Sequence, residues 1–102
     1  MPKLFSYGTL QQANVQLETF GRLLTGEPDA LPGYRREMVR MTGADHHPIV
    51  LKSTDPADAV AGAVFEITDT ELSAADEYEV DDYKRVAVRL RSGIEAWVYV
   101  KA

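Results

Sequence analysis

Cysteine is absent from the 102 residues of this chain. That excludes disulfide bridges, thiolate nucleophiles and zinc–thiolate sites. Histidine occurs only twice, at the adjacent positions His46 and His47. Adjacent side chains on an extended segment point to opposite faces, so at most one of the two faces a given pocket. There is no Gly-x-Ser-x-Gly elbow, and a covalent acyl-transfer triad is not expected. Asp45-His46-His47 has no companion ligands at the spacing a metal site needs, so no metal is expected. No glycine loop matches a phosphate-binding fingerprint, and no cofactor is expected. No apolar run approaches the ~20 residues of a membrane helix. Met1-Pro2-Lys3 leads straight into a strand, without the pattern of a secretory signal, and a cytoplasmic location is the expectation. Repeats, low-complexity tracts and linkers are missing as well, so residues 1–102 read as one domain.

What is present is ordinary for a packed protein: 45% apolar and 26% charged residues. The formal net charge of −5 argues against general nucleic-acid binding. The charge is unevenly placed. Thr54 to Tyr83 holds ten acids and no Lys or Arg, whereas Lys84 to Ala102 holds five bases and one acid. A solvated acidic face beside a basic strand accounts for this. So does a site that sets a carboxylate next to positive charge.

The periodicity predicts a first strand over Lys3 to Tyr7, a turn at Gly8-Thr9, and a helix from Gln11 to Leu24 with Ala13, Leu17, Phe20 and Leu24 as its stripe. Gly26 and Pro28 should stop that helix, and Leu31-Pro32-Gly33-Tyr34 has turn chemistry. Strands are expected over Tyr34 to Met41, Pro48 to Lys52 and Val60 to Ile67, with a loop at Thr42 to His47. Gly62 and Ala63 imply close packing or a bulge. Thr68 and Glu71 are spaced as a capping box for a helix running to about Tyr78, with Leu72 and Ala75 on its buried face. Tyr83 to Arg91 alternates, with Val86, Val88 and Leu90 on one side. Ser92-Gly93 reads as a two-residue hairpin turn, and Ile94 to Val100 closes the chain. The predicted order is β-α-β-β-β-α-β-β. The fold class is α+β: a small mixed six-stranded β-barrel or strongly curved sheet with two flanking helices.

Two stretches could carry chemistry. In Tyr7-Gly8-Thr9-Leu10, Gly8 lets the backbone approach a ligand. The amides of Gly8, Thr9 and Leu10, at a strand end that becomes a helix, could bind a carboxylate or oxyanion. The same residues could equally form a plain turn. In Asp76-Glu77-Tyr78-Glu79-Val80-Asp81-Asp82-Tyr83-Lys84-Arg85 most acids, Asp76 among them, are expected in solvent. Glu79 is different: it falls about one turn past Leu72 and Ala75, on the apolar face. A partly desolvated carboxyl there would have a raised pKa suited to general acid/base work. A surface charge at a helix end is the plainer alternative.

Together these two motifs, in this order and over essentially the whole chain, resemble the gamma-glutamylcyclotransferase superfamily, in particular the small branch of gamma-glutamylamine cyclotransferases and AIG2-like proteins. The resemblance implies a small mixed β-barrel with flanking helices. It implies a cavity in which the Tyr7, Gly8, Thr9 and Leu10 loop holds substrate, Glu79 acts as acid/base and Tyr83 shapes the pocket, with Arg85 following. Val80 stands where the family often has glycine. The implied reaction releases 5-oxoproline and a free amine from a small γ-glutamyl substrate, with no cofactor and no metal. The competing readings are a non-catalytic module that binds a small anion in the same cavity, and a partner-binding domain. Leaving group and oligomeric state are not legible.

Overall fold

The computed structural model describes residues 1–40, 46–79 and 83–101. Seven strands and two helices alternate in the order β1 (Lys3–Ser6), a 3-10 turn (Thr9–Gln11), α1 (Ala13–Phe20), β2 (Gly26–Pro32), β3 (Tyr34–Arg40), β4 (His46–Lys52), β5 (Ala59–Glu66), α2 (Asp69–Tyr78), β6 (Tyr83–Arg89) and β7 (Glu95–Lys101). Five strands form one mixed sheet in the order β2-β5-β1-β7-β6, and β3 and β4 form a separate antiparallel hairpin. β1 runs antiparallel to β5 and parallel to β7. The α+β class therefore holds. The six-stranded barrel does not: among the described residues there are seven strands in two sheets and no closed barrel. The large sheet nevertheless curls until its edges touch at one end. There the Arg91 amide donates to the Ala30 carbonyl at 2.9 Å, and Ser92 Oγ bonds Asp29 Oδ2 at 2.5 Å.

The layering follows from β1. Its residues alternate between two cores: Leu4 packs with the helices, Phe5 with the hairpin side, and both are at most 1% exposed. Burying two such side chains contributes roughly 1.5–3 kcal/mol each. The helix-side core adds Val15, Phe65, Ile67, Leu72, Ala75 and Tyr99. Val50 of β4 and Tyr34 of β3 bring the hairpin onto the other core, beside Tyr7, Leu31 and Val98.

Several local expectations are corrected. Gly26 to Pro32, where Pro28 and Pro32 predict a helix stop and a turn, is instead an edge strand, where proline costs no ladder bond on the open side. α1 is shorter than expected and ends at Gly21, whose φ of 73° gives a left-handed cap. Its buried residues are Val15 and Gln16; of the expected stripe Phe20 and Leu24 pack against the helix-side core, whereas Leu17 is 51% exposed. Gln16 is buried because its amide works locally: Nε2 donates to Leu10 O at 2.9 Å and Oε1 accepts from Leu24 N at 3.0 Å. His46 and His47 are strand residues of β4, paired in register with Arg40 and Val39, rather than a loop. The hairpin between β6 and β7 has a three-residue turn, Arg91-Ser92-Gly93, closed by Leu90 N to Ile94 O at 2.8 Å, with Gly93 at φ 92°.

α2 starts as the capping box requires. Glu71 N donates to Thr68 Oγ1 at 3.0 Å and Thr68 N to Glu71 Oε1 at 2.8 Å. Glu71 is also gripped by Arg22, Nε to Oε2 at 2.6 Å and Nη2 to Oε1 at 2.8 Å, which ties the segment after α1 to the start of α2. The Arg22 hydrogen bonds, then the Thr68 amide, hold the Glu71 carboxyl down at about 2. Its stabilising share is complete above the ordinary value of 4.5 and fades as pH falls toward about 2.

Gly62 of β5 is the tightest point. A Cβ there would lie 2.3 Å from the Ser6 carbonyl oxygen and 2.7 Å from Phe5 Cζ. Gly62→Ala should lose about 2 kcal/mol or more, because a backbone oxygen cannot swing aside. Thermal melts check this, and an unchanged Tm would contradict the close packing of β5 on β1.

Candidate active site

β1 ends at Ser6, and the next four residues carry the first sequence motif. Tyr7 is buried in the hairpin-side core. Its hydroxyl donates to the Tyr99 carbonyl at 2.6 Å, and Val50 of β4 supplies a backbone hydrogen bond to it. Burial, then the nearby Tyr83 and Glu79, push the phenol up, so it stays neutral.

Gly8 has φ −134°, so a left-handed backbone is not what it supplies. Its constraint is space, because a Cβ would sit 3.3 Å from Pro48 Cγ. The Gly8 amide donates to Ser6 Oγ at 3.4 Å, a long bond, while Gln11 N closes the 3-10 turn on Gly8 O at 3.1 Å. The amides of Thr9 and Leu10 lead that turn and have no acceptor within it. Leu10 itself is a core residue, 3% exposed, so only its backbone remains at the loop.

The second motif meets the first. Thr9 Oγ1 lies 2.7 Å from the Tyr78 hydroxyl, at the last residue of α2. Glu79 follows as the helix C-cap, its amide on the Ala75 carbonyl at 3.0 Å and its backbone turned to extended, φ −75° and ψ 136°. Leaving the helix there directs the half-buried side chain among tyrosines. Burial pushes its carboxyl up to about 7. A Glu79 carboxylate in turn raises both Tyr7 and Tyr99, which places it within electrostatic reach of each. Tyr83, at the start of β6, donates its hydroxyl to Pro48 O at 2.7 Å, so it closes on the same proline that flanks Gly8.

Asp76 is exposed, as the sequence implied, but it is not without partners. Its Oδ1 accepts from the Tyr99 hydroxyl at 2.8 Å and lies 3.1 Å from Arg85 Nε, and the Arg85 guanidinium stacks 4.5 Å over the Trp97 ring. The chain Trp97–Arg85–Asp76–Tyr99 fastens the last turns of α2, one helical turn before Glu79, to β6 and β7. Sequence reasoning missed Asp76 because acids crowd that stretch; the basic strand that follows is the signal that could have paired it. It also missed Arg36, whose Nη1 donates to the Tyr7 carbonyl at 3.3 Å. Asp45, Val80, Asp81 and Asp82 lie outside the described residues, as do the side chains of His46 and His47. Among the described residues no three His, Asp or Glu side chains converge as a metal site would need.

The arrangement is a neutral-range carboxyl among buried phenols, next to a loop with forward-pointing amides. It can move a proton and hold an anion side by side. A family model described as gamma-glutamyl cyclotransferase, AIG2-like matches residues 4–102. No curated protein matches the chain. Among solved structures, an Arabidopsis thaliana protein determined in solution is 25% identical with a TM-score of 0.80, over 98% of this chain and 61% of its own. A second Arabidopsis thaliana protein is 25% identical with a TM-score of 0.79, over 98% of this chain and 68% of its own. A structure named gamma-glutamyl cyclotransferase has a TM-score of 0.81 over 99% of this chain and 66% of its own; at 16% identity that is a likeness of fold. The chain thus spans between 61% and 68% of the length of these proteins.

The raised Glu79 carboxyl has a consequence for stability. Its folded value, about 7, lies above the ordinary 4.5, so the folded state binds the extra proton and stability falls as pH rises from about 4.5 to about 7. Glu79→Gln should therefore stabilise the protein at pH 8, by roughly 3 kcal/mol, and hardly at all at pH 4.5. Thermal melts of both proteins across that range check it. A pH-independent difference would mean that the carboxyl is solvated.

Proposed function

Because the chain belongs to the gamma-glutamyl cyclotransferase, AIG2-like family, we propose that it is a cyclotransferase-type enzyme that releases 5-oxoproline and a free amine from a small γ-glutamyl substrate, with Glu79 as the general acid/base. The observation that carries this reading is the Glu79 carboxyl, raised to about 7 by burial while the Thr9–Tyr78 contact ties its helix end to the Tyr7–Leu10 loop.

The reaction is intramolecular. The α-nitrogen attacks the γ-carbonyl carbon, a C–N bond forms to close the five-membered ring, and the bond to the leaving nitrogen breaks. Between ammonium and lactam the α-nitrogen gives up two protons, and the leaving nitrogen gains two on its way to an ammonium. Glu79 relays them. A carboxyl that titrates near neutrality is present in both forms, so it can accept and return a proton in one turnover; such help is worth ~10²–10⁴-fold. Holding the substrate in its ring-closing shape supplies several kcal/mol more. The Gly8 to Leu10 amides face the negative charge of the substrate carboxylate or of the oxyanion that forms at the γ-carbonyl. Tyr7 and Tyr83 act as walls: each hydroxyl already donates to a backbone carbonyl, so neither competes for the proton.

The test is a screen of γ-glutamyl amines, γ-glutamyl dipeptides and glutathione for 5-oxoproline release. On a substrate so found, Glu79→Gln should lower kcat at least ~100-fold while calorimetric binding persists, since amide and carboxyl share a shape. Glu77→Gln, exposed on the same helix, should behave as wild type. In wild type, kcat/KM should rise through an apparent pKa of about 7. Wild-type turnover in Glu79→Gln would end the assignment. Anion binding with no turnover of any γ-glutamyl compound would leave a binding module.

A further inference from the structure

We propose that Arg36 is the carboxylate-binding residue of this site, so that the ligand it takes is an anion held by a guanidinium from the β3–β4 hairpin. The ligand class rests on the γ-glutamyl reading above; the assignment of Arg36 rests on geometry.

Arg36 stands where the strand pattern calls for an apolar side chain. It pairs in register with Val50, and residues directly opposite on an antiparallel pair share a face. Val50 is fully buried in the core that contains Tyr7. Tyr34, two residues before Arg36 and so on the same face, packs against that core as well. The face turned toward Tyr7 thus reads Tyr34, Arg36, with a charge in the second place. The guanidinium reaches the Tyr7 loop there: Nη1 donates to the Tyr7 carbonyl at 3.3 Å. On the neighbouring strand Pro48 borders Gly8 and accepts from Tyr83.

Its charge is uncompensated among the described residues. Arg22 pairs with Glu71, Arg35 with Glu37, Arg85 with Asp76 and Arg89 with Glu95. Arg91 lies near Asp29. Arg36 donates to a carbonyl alone. A guanidinium has five N–H donors in a fork that fits a carboxylate with two parallel bonds, and one bond to Tyr7 leaves the fork available. In a chain of net charge −5, this solvent-exposed cation, held against the Tyr7 carbonyl and without an acidic partner among the described residues, is a local inversion of the field that an anion reaching the Tyr7 loop would meet.

A γ-glutamyl compound offers two carboxylates of the same chemistry: its own α-carboxylate, and that of the leaving amine when this is an amino acid. The experiment separates them. Binding of 5-oxoproline and of its primary amide is measured by calorimetry on wild type, Arg36→Leu and Arg36→Lys. 5-oxoproline should bind wild type at least about tenfold more tightly than the amide. Arg36→Leu should remove that preference and leave amide binding unchanged. Arg36→Lys should retain part of it. If the preference for 5-oxoproline is intact in Arg36→Leu, Arg36 holds instead the carboxylate of the leaving group. Turnover then decides: γ-glutamylalanine should lose about tenfold in kcat/KM in Arg36→Leu while γ-glutamylethylamine loses nothing. Arg36 is exposed, so Arg36→Leu should leave Tm close to wild type. The proposal is overturned if Arg36→Leu changes neither the preference for 5-oxoproline nor the discrimination between the two γ-glutamyl compounds, or if it weakens the charged and uncharged ligand of each pair alike. Wild-type binding of 5-oxoproline that depends on Arg36, without turnover of either γ-glutamyl compound, would sink the cyclotransferase reading and leave the anion site standing. A wild type that neither binds 5-oxoproline nor turns over either compound would sink both.

Discussion

Strand β1 has no face left to water, and that constraint organises the molecule. Leu4 needs cover from one side and Phe5 from the other. The helices α1 and α2 supply the first cover and the β3–β4 hairpin the second. β1 must therefore end between two layers, and the backbone that leaves it at Tyr7 and Gly8 emerges where the hairpin, the end of α2 and the start of β6 come together. Gly62 lets β5 close on β1 from the side, with its missing Cβ within 2.3 Å of where Ser6 O would be struck. The candidate site follows from burying the central strand: what covers β1 also meets the loop at its end.

Two glutamates at the two ends of α2 show how local environment divides roles. Glu71, at the start, is satisfied by Arg22 and by the Thr68 amide, and its carboxyl drops to about 2. Glu79, at the end, lies at the carbonyl end of the helix dipole, where negative charge is disfavoured, and burial raises it to about 7. The first strengthens the fold as pH rises from acid, and the second weakens it as pH rises toward neutrality. A carboxyl whose charged form opposes folding is the kind found at functional sites. The Trp97–Arg85–Asp76–Tyr99 chain keeps the end of α2 in place despite that cost.

Much of this was legible in the sequence, for reasons that can be named. Strict alternation in β6 and β7, the capping box at Thr68 and Glu71, and the apolar face of Leu72 and Ala75 are local signals, and local physics decides them. The same helix face pointed to Glu79, but the chain leaves the helix at that residue, so the extended cap rather than the helix face directs its side chain. β2 was illegible because Pro28 and Pro32 speak against a strand until one knows that it lies at a sheet edge. α1 was over-extended because Leu17 looked like core, and nothing in the sequence says that Gln16 is buried by bonds to Leu10 and Leu24. The barrel expectation failed at closure, because a separate hairpin covers the core that a sixth paired strand would have enclosed. Asp76 and Arg36 depend on partners in distant strands, which no window of sequence contains. For Arg36 the break in alternation after Tyr34 was the available sign.

The central claim is that the fold holds the Glu79 carboxyl half-buried beside the Tyr7 loop, in the neutral titration range. The most direct measurement is an NMR titration of the glutamate side-chain carboxyl carbons in 13C-labelled protein, with Glu79 assigned by its loss in Glu79→Gln. The account predicts a midpoint of about 7, with Tyr7 and Tyr99 ring signals shifting over the same pH interval. A midpoint near the ordinary 4.5, with tyrosine signals indifferent to it, would contradict the account.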